Sequence, residues 1–133
     1  MILLDTHVAL WLTFDIDSLG RRTKRLAQQA AEDGELAISA ISFWEIALLI
    51  AKRRLRPLDT AEEIRRQILT HGAIELPLSG EIAILAAELG GLHADPADRF
   101  IVATAIAHSA MLVTADDRLL KWRHSVRRHN AET

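Results

Sequence analysis

The sequence His93-Ala94-Asp95-Pro96-Ala97-Asp98-Arg99-Phe100 runs directly into the apolar series Ile101-Val102-Ala103-Thr104-Ala105-Ile106-Ala107. Asp95 stands where a helix N-cap belongs and Pro96 where the first helical residue belongs, so the stretch predicts a buried helix that begins at Pro96. Asp98 falls in the first turn, which places both carboxylates on one face of that turn. The helix macrodipole alone can account for such a pair. A functional interpretation therefore depends on acidic residues elsewhere in the chain.

Length and composition predict a single domain over residues 1–133. Half of the 133 residues are hydrophobic, which is enough for a sizeable core. The sequence contains no cysteine, so a bound metal must be held by oxygen or imidazole ligands. The apolar run Met1–Leu4 is too short for a signal peptide, and no stretch approaches the roughly 18 apolar residues of a membrane span. We therefore expect a soluble, cytoplasmic protein without membrane contact.

Charge is nearly balanced, with 16 basic and 18 acidic residues and a formal net charge of −2. This sum does not by itself indicate a nucleic-acid-binding protein. The basic residues are nonetheless clustered, in residues 21–25, in residues 52–56, and at Lys121, Arg123, Arg127 and Arg128. Such clusters are typical of solvated helix surfaces, and contact with phosphates is the alternative.

Short apolar segments alternate with helical patterns along the whole chain. The predicted strands are residues 2–4, 36–39, 73–76 and 111–114, with a further strand near Val126. Helices separate them, with predicted caps at Asp17 or Ser18, at Thr60 with Glu63 in a capping box, at Ser79 and at Asp95. This alternation predicts an α/β fold, a three-layer α/β/α sandwich around a central parallel sheet of four or five strands.

Acidic residues lie where the predicted strands end. Asp5 follows the first strand, Glu45 lies in the first turn of the helix after the second, and Asp116 follows the fourth. In an open parallel sheet, functional groups gather beyond the carboxyl ends of the strands, so we expect these three acids at one edge. Asp98 joins them if the N-terminus of its helix points at the same edge.

Each of these acids also has a local structural explanation. Ser42 and Glu45 have the spacing of a capping box, and Asp5 suits a helix N-cap. Asp116 and Asp117 suit a turn or a cap. None of these explanations accounts for four acids around one cleft.

A cluster of four carboxylates must be neutralised. Two carboxylates about 4 Å apart repel each other by about 4 kcal/mol at an effective dielectric constant of about 20, so the cluster either takes up protons or binds a cation. Mg²⁺ and Mn²⁺ are divalent ions that favour carboxylate and water oxygens. Such a site acidifies water and neutralises a phosphate, as phosphodiester hydrolysis requires. The residues therefore predict a metal-dependent phosphodiesterase.

Several pieces of sequence occur in a characteristic order over nearly the whole chain. They are Leu4-Asp5-Thr6-His7 with Ala9-Leu10-Trp11, Ser39 and Ser42 ahead of Trp44-Glu45-Ile46, His93 to Phe100 leading into Ala103-Thr104-Ala105, and Leu112-Val113-Thr114-Ala115-Asp116. Together they resemble the PIN-domain ribonucleases, and among them the VapC-type toxins of toxin–antitoxin pairs. The resemblance implies a PIN-like sandwich, a homodimer, an RNA substrate, and an antitoxin protein that blocks the cleft.

The resemblance also implies a reaction and the residues that perform it. The activity is that of an endoribonuclease dependent on Mg²⁺ or Mn²⁺, in which water activated by the metal attacks the phosphorus and a carboxylate takes its proton. By motif match, the catalytic and metal-binding acids are Asp5, Glu45, Asp98 and Asp116. Asp5 and Asp98 would bind the metal directly, and the other two directly or through water. Asp98 matches, and Asp95 does not, because the acid of the family motif directly precedes the arginine.

Neighbouring residues are candidates to support these acids. Thr6 and Thr114 can hydrogen bond to the carboxylates or to a metal-bound water, with local turn bonding as the alternative. Asp95, mainly an N-cap, and Asp117, one residue past the matching position, are candidates for an outer shell.

Histidine and tryptophan residues near the motifs have simpler explanations. His7 and His93 are interpreted as residues that hold position, because the histidines show no zinc-binding spacing. Trp11 and Trp44 lie in apolar helical settings and are expected in the core or in a dimer interface rather than under RNA bases.

Other functions compete with this one. A phosphoacceptor module needs paired acids after the first strand and a late lysine, and a phosphatase of the Asp-x-Asp type needs an acid at position 7, which is histidine. Two alternatives stay open: a PIN-like binding module without activity, and a nuclease directed at DNA, since this chemistry does not require the 2′-hydroxyl.

Overall fold

Strands and helices alternate along the chain. The computed structural model describes residues 1–52 and 60–133. Its strands are β1 (Ile2–Leu4), β2 (Leu36–Ser39), β3 (Ile74–Leu76), β4 (Met111–Thr114) and β5 (Arg128–Asn130). Its helices are α1 (Thr6–Thr13), α2 (Arg21–Glu32), α3 (Ile41–Ala51), α4 (Ala61–Thr70), α5 (Gly80–Glu88), α6 (Pro96–Ala107) and α7 (Asp117–Leu120). The predicted helix end before Pro57 and most of its basic cluster lie outside the described residues.

The described strands form one parallel sheet in the order β3-β2-β1-β4-β5. β1 is central, where Leu4 pairs with Ile38 of β2 and with Val113 of β4. The predicted parallel sheet is therefore confirmed. The last strand predicted near Val126 is present as β5 and begins at Arg128, and Val126 packs against the apolar core just ahead of it.

The two faces of the sheet bury separate cores. Leu3 faces one core and Leu4 the other, because successive strand residues point to opposite faces. Helices α5, α6 and α7 pack on the Leu3 side, and α1 to α4 pack on the Leu4 side. Both leucines are fully buried, and such burial stabilises a fold by about 1.5–3 kcal/mol for each side chain. The predicted three-layer α/β/α sandwich is confirmed.

Helix α6 begins where the sequence predicts. Asp95 accepts a hydrogen bond from the Asp98 amide at 3.2 Å, and Pro96 is the first helical residue. The caps predicted at Thr60 and Ser79 are confirmed as well, since each hydroxyl accepts from the backbone amide three residues later. Every helix in the described residues is too short or too polar to cross a lipid bilayer.

Helix α2 begins differently from the prediction. Its cap position is Gly20, so the predicted caps at Asp17 or Ser18 are wrong. The amides of residues 20 and 22 donate to the carbonyls of Ala131 and Thr133, at 2.9 and 3.0 Å. A Cβ atom on Gly20 would lie 2.1 Å from the Thr133 carbonyl carbon, so this approach requires glycine. Because these acceptors are distant in sequence, no local pattern predicts them.

Candidate active site

Beyond the carboxyl ends of β1 and β4 lies a cleft of about 280 Å³, called here the acidic cleft. All four acids predicted from the sequence line it, namely Asp5, Glu45, Asp98 and Asp116. They come from the end of β1, from α3, from the first turn of α6 and from the end of β4. The remaining lining residues are Thr6, His7, Trp11, Asp95, Ala115 and Arg118.

Asp5 is the buried acid of the acidic cleft, with 8% of its surface exposed. Its Oδ1 accepts the Val8 amide at 2.9 Å, so the N-cap explanation is correct. Its Oδ2 accepts from the Thr114 hydroxyl, which itself accepts the Asp116 amide at 3.1 Å. Burial raises the pKa of Asp5 to about 6 although both hydrogen bonds act in the opposite direction. A single threonine hydroxyl thus connects two of the predicted acids.

Glu45 reaches the acidic cleft from the interior of α3. The helix begins at Ile41, one residue before Ser42, and the hydroxyl of Ser39 accepts the Ile41 amide at 3.2 Å. Ser42 is buried and accepts a hydrogen bond from the Thr6 hydroxyl at 2.9 Å, so the capping-box explanation of Ser42 with Glu45 is wrong. Burial raises the pKa of Glu45, and the negative charge of Asp98 adds to the shift.

Asp98 is held by a histidine. His93 Nε2 lies 2.7 Å from Asp98 Oδ2, and Arg118 Nη2 lies 3.7 Å from the same oxygen. Burial raises the pKa of Asp98 against the opposing effect of the His93 contact, and the charge of Asp95 raises it further. Asp95 therefore both caps α6 and lines the cleft beside Asp98.

Asp116 has a different environment because it is paired with a cation. Its Oδ1 accepts the Arg118 amide at 2.8 Å, which caps α7, and its Oδ2 lies 2.9 Å from Arg118 Nη2. The hydrogen bond from the Arg118 guanidinium lowers the pKa of Asp116. The cap explanation is correct here too, and it does not exclude a place in the acidic cleft.

Within the described residues, one tight group of ligand-type side chains lies at the acidic cleft, and two of its three members, Asp98 and Asp116, line the cleft. The ligand atoms of His93, Asp98 and Asp116 are all within 4.8 Å of one another. Asp5 and Glu45 line the same cleft outside this group. Carboxylates with raised pKa values are unfavourable as anions unless positive charge is nearby. This donor set, rich in carboxylate oxygen, therefore fits a hard divalent cation.

Arg99 holds the loop that precedes α6. Its guanidinium donates to five backbone carbonyls at 2.7–3.3 Å, those of Ala86, Ala87, Leu89, Leu92 and His93. The side chain ties the end of α5 to residue 93. The arginine after Asp98 therefore serves to position the His93 loop beside the acid.

Some residues lie elsewhere than the sequence predicts. Trp44 is 49% exposed, so of its two predicted places the core is excluded and the dimer interface stays a prediction. Trp11 packs against the core and also lines the acidic cleft. Thr6 and Thr114 are buried at the cleft, whereas Asp117 is exposed and does not line it.

His93 is interpreted from the sequence as a residue that holds position, and its imidazole contacts Asp98 at 2.7 Å, which agrees with that role. The contact of Arg118 with Asp116 is not predicted from the sequence. The position of Arg118 could have indicated this pairing. Arg118 lies in the first turn of a helix, where a cation is unfavourable next to the macrodipole unless an acid such as Asp116 compensates its charge.

Together, fold and cleft define an α/β/α protein with an acid-lined site at the carboxyl edge of a parallel sheet. The model of the PIN domain family matches residues 2–124. The chain is also 36% identical over 128 residues to Ribonuclease VapC22 of Mycobacterium tuberculosis, and the match covers 92% of each chain. The chain therefore belongs to the PIN-domain family, as its ordered motifs predict.

Solved toxin–antitoxin structures share the fold. VapBC2 from Rickettsia felis, bound to a DNA fragment from its promoter, superposes with a TM-score of 0.70 at 20% identity and 98% coverage of both chains. A toxin–antitoxin complex from Klebsiella pneumoniae gives a TM-score of 0.62 at 24% identity, again with 98% coverage of both. At these identities the likeness concerns the fold alone.

Proposed function

We propose that this chain is a metal-dependent endoribonuclease and the toxin of a toxin–antitoxin pair. The observation that carries the proposal is the meeting of Asp5, Glu45, Asp98 and Asp116 in one cleft. Membership of the PIN-domain family and 36% identity to Ribonuclease VapC22 support it. The raised pKa values of three of these acids add that the cleft favours positive charge.

The proposed cofactor is Mg²⁺ or Mn²⁺. Asp5 and Asp98 would hold it directly, with Glu45 and Asp116 directly or through water. When bound, the ion neutralises the phosphate and makes water more acidic. In the metal-free protein, His93 and Arg118 contact carboxylate oxygens that the ion needs. We therefore expect His93 to release Asp98, and Arg118 to release Asp116, when the ion binds.

The protein's own groups then orient the acids and move a proton. Thr114 holds the Asp5 carboxylate by its Oδ2 and Asp116 by its amide, so both keep their positions at the strand ends. Glu45 is the proposed acceptor of the proton from the attacking water, because its raised pKa makes it a better base. The water oxygen forms a bond to phosphorus as one P–O bond of the RNA backbone breaks.

Cleavage of RNA tests this function. Purified wild-type protein with Mn²⁺ should cleave total cellular RNA, measured as new fragments on a gel, and EDTA should stop it. Asp98→Asn should reduce the rate on the order of 100-fold or more, because it removes a charge at the metal. Asp17→Asn is the matched control, since Asp17 is exposed in a loop away from the cleft.

Each outcome decides between the candidate functions. Activity that Asp98→Asn does not reduce would remove Asp98 from the mechanism. No cleavage by the wild type in Mg²⁺ or Mn²⁺ would favour a binding module. Single-stranded DNA of matched sequence, cut as fast as RNA, would identify a nuclease that does not distinguish the two.

The proposal includes two protein partners and a place of action. An antitoxin is expected because the chain shares its fold with the toxin–antitoxin complexes above. A homodimer is expected from the resemblance to VapC-type toxins, and the exposed Trp44 and Ile84 are available to an interface. Co-expression with a small DNA-binding protein encoded by the neighbouring reading frame should suppress the toxicity of this chain. Light scattering of the purified protein should give twice the mass of one chain. The proposed site of action is the cytoplasm, where the RNA is.

A further inference from the structure

A second pocket, of about 380 Å³, adjoins the acidic cleft. Its lining consists of Gly90, Gly91, Arg118, Lys121, Trp122 and Arg123, and we call it the basic pocket. Arg118 lines both pockets, so they meet at that side chain. An acid-lined and a cation-lined depression thus lie side by side at one edge of the sheet.

The cations of the basic pocket differ from their sequence neighbours. Lys121 and Arg123 are exposed, and within residues 1–52 and 60–133 neither side chain makes a hydrogen bond or an ion pair. Arg127 instead donates to the Ser109 carbonyl, and Arg128 to backbone carbonyls of residues 119, 122 and 124. The basic cluster seen in the sequence therefore divides into two structural arginines and two cations available to a ligand.

The segment that carries these two cations is held in place. Arg128 donates to the Leu119 carbonyl at 2.9 Å and to the His124 carbonyl at 2.7 Å, on either side of Lys121 and Arg123. The Trp122 indole N–H donates to the Gly90 carbonyl at 3.0 Å, which joins the two walls of the pocket. Because the backbone is already fixed, binding an anion here costs only the entropy of the two side chains.

We propose that the basic pocket binds a backbone phosphate of the nucleic acid, next to the phosphate cleaved in the acidic cleft. This inference rests on the proposed function, which brings a polyanion to the neighbouring site. The acidic cleft repels such a polymer, so cations without acidic partners beside it supply the attraction. Arginine contacts phosphate by two parallel hydrogen bonds, and lysine contacts it as a point charge.

Removal of both cations tests the pocket. Lys121→Ala with Arg123→Ala should raise KM for cleavage of a single-stranded RNA about tenfold and leave kcat near the wild-type value. The slope of log KM against log salt concentration should fall by about 0.7, the value for one phosphate contact on a single strand. Lys121→Arg with Arg123→Lys keeps both charges and should retain most of the affinity.

The matched control removes two cations from the other face of the sheet. Arg21→Ala with Arg25→Ala changes the net charge equally, but α2 packs on the Leu4 side, and the basic pocket adjoins the Leu3 side. This control should change KM much less than the pocket variant. Thermal unfolding of all variants in parallel identifies a folding defect, which would lower kcat together with the unfolding midpoint.

Failure of the inference differs from failure of the proposed function. Wild-type protein that does not cleave RNA with Mn²⁺ overturns both. Intact cleavage with the same KM in the pocket variant and in the control overturns the basic pocket alone. A loss confined to kcat in the pocket variant also overturns it, because a phosphate subsite acts on binding.

Discussion

Asp5 and Asp116 follow neighbouring strands and share one threonine partner, yet their pKa values are shifted in opposite directions. Asp5 is buried, and loss of solvation raises its pKa to about 6. Asp116 lies nearer the surface, and the Arg118 guanidinium lowers its pKa. Within the described residues, Asp5 therefore has no arginine or lysine paired with it, whereas Asp116 is paired with Arg118.

The difference indicates how the site prepares for a cation. Hydroxyl and amide groups orient Asp5 without neutralising it, so the proposed divalent ion would relieve an unfavourable charge there. At Asp116 the proposed ion would compete with Arg118. We therefore expect Asp5 to supply most of the driving force for metal binding. The following predictions test this contrast, beginning with the largest effect.

Asp5→Asn should reduce RNA cleavage by about 10²–10³-fold, as loss of a preorganised charge at a reacting centre does. The metal-free variant should nevertheless be at least as stable as the wild type at pH 7.5. Asparagine caps a helix as well as aspartate, and it brings no buried charge. Urea unfolding in EDTA measures the stability, and fragment analysis measures the rate.

Asp116→Asn is the comparison for this variant. It should lose activity without gaining stability, because Arg118 already compensates the charge of Asp116. Equal stability changes in the two variants would contradict the difference between the two sides of the cleft.

The metal-free protein should become less stable as the pH rises from about 4 to about 6. In the folded protein the pKa of Asp5 is about 6, whereas the ordinary pKa of an aspartate is 3.8. Asp5 therefore keeps its proton to a higher pH when the protein is folded. The folded state thus binds more protons in this window, so the free energy of unfolding falls through it and the contribution of Asp5 is constant above it. The full effect of Asp5 is on the order of 3 kcal/mol.

Unfolding by urea at several pH values, for wild type and Asp5→Asn, isolates the contribution of Asp5. Saturating Mg²⁺ should restore the lost stability of the wild type above pH 6. If the two proteins show parallel pH profiles, the raised pKa of Asp5 is excluded as the cause.

Thr114→Val should reduce RNA cleavage by about 10–100-fold, the usual cost of losing a group that orients a metal ligand. The Thr114 hydroxyl holds both the Asp5 carboxylate and the Asp116 amide, so its loss should disorder both of these acids in the acidic cleft. Thr114→Ser should recover most of the activity. Initial rates at saturating Mn²⁺ provide the measurement.

Thr104→Val is the matched control for this substitution. Thr104 is also fully buried, but its hydroxyl donates to the Phe100 carbonyl within α6, away from the cleft lining. A similar loss of rate in Thr104→Val would show that Thr114 acts through general stability.

Arg118→Ala should produce the smallest effect, a two- to fivefold tightening of Mn²⁺ binding. In free energy this change corresponds to about the contribution of one exposed ion pair. Removal of the guanidinium frees Asp116 and returns its pKa toward the ordinary value. Titration calorimetry measures the affinity, and Arg118→Lys, which keeps a cation, should bind nearly as the wild type does. Weaker Mn²⁺ binding by Arg118→Ala would show that Arg118 supports the ion rather than competing with it.

Much of the fold follows from local signals. Asp95 with Pro96 starts α6, and the hydroxyls of Thr60 and Ser79 start α4 and α5, because capping involves atoms within one turn. The parallel sheet follows from short apolar strands separated by helices. Its topology then explains why Asp5 and Asp116, each directly after a strand, lie at one edge.

The errors involve partners distant in sequence. The start of α2 depends on carbonyls of residues 131 and 133, and the burial of Ser42 depends on Thr6 across the α1–α3 contact. Trp44 lies in an apolar helical pattern, yet no neighbour within residues 1–52 and 60–133 buries its face of α3. A pattern records which residues share a face, and it does not record what covers that face.

The sequence by itself determined the order of strands and helices, most helix starts, and which acids follow the strands, because periodicity and capping are properties of a few adjacent residues. Only the tertiary structure decided the properties of those acids. Burial beneath the packed strand ends raises the pKa of Asp5, and the position of Arg118 lowers that of Asp116. Solvation and charge depend on every atom nearby, and the chain brings those atoms together only when it folds.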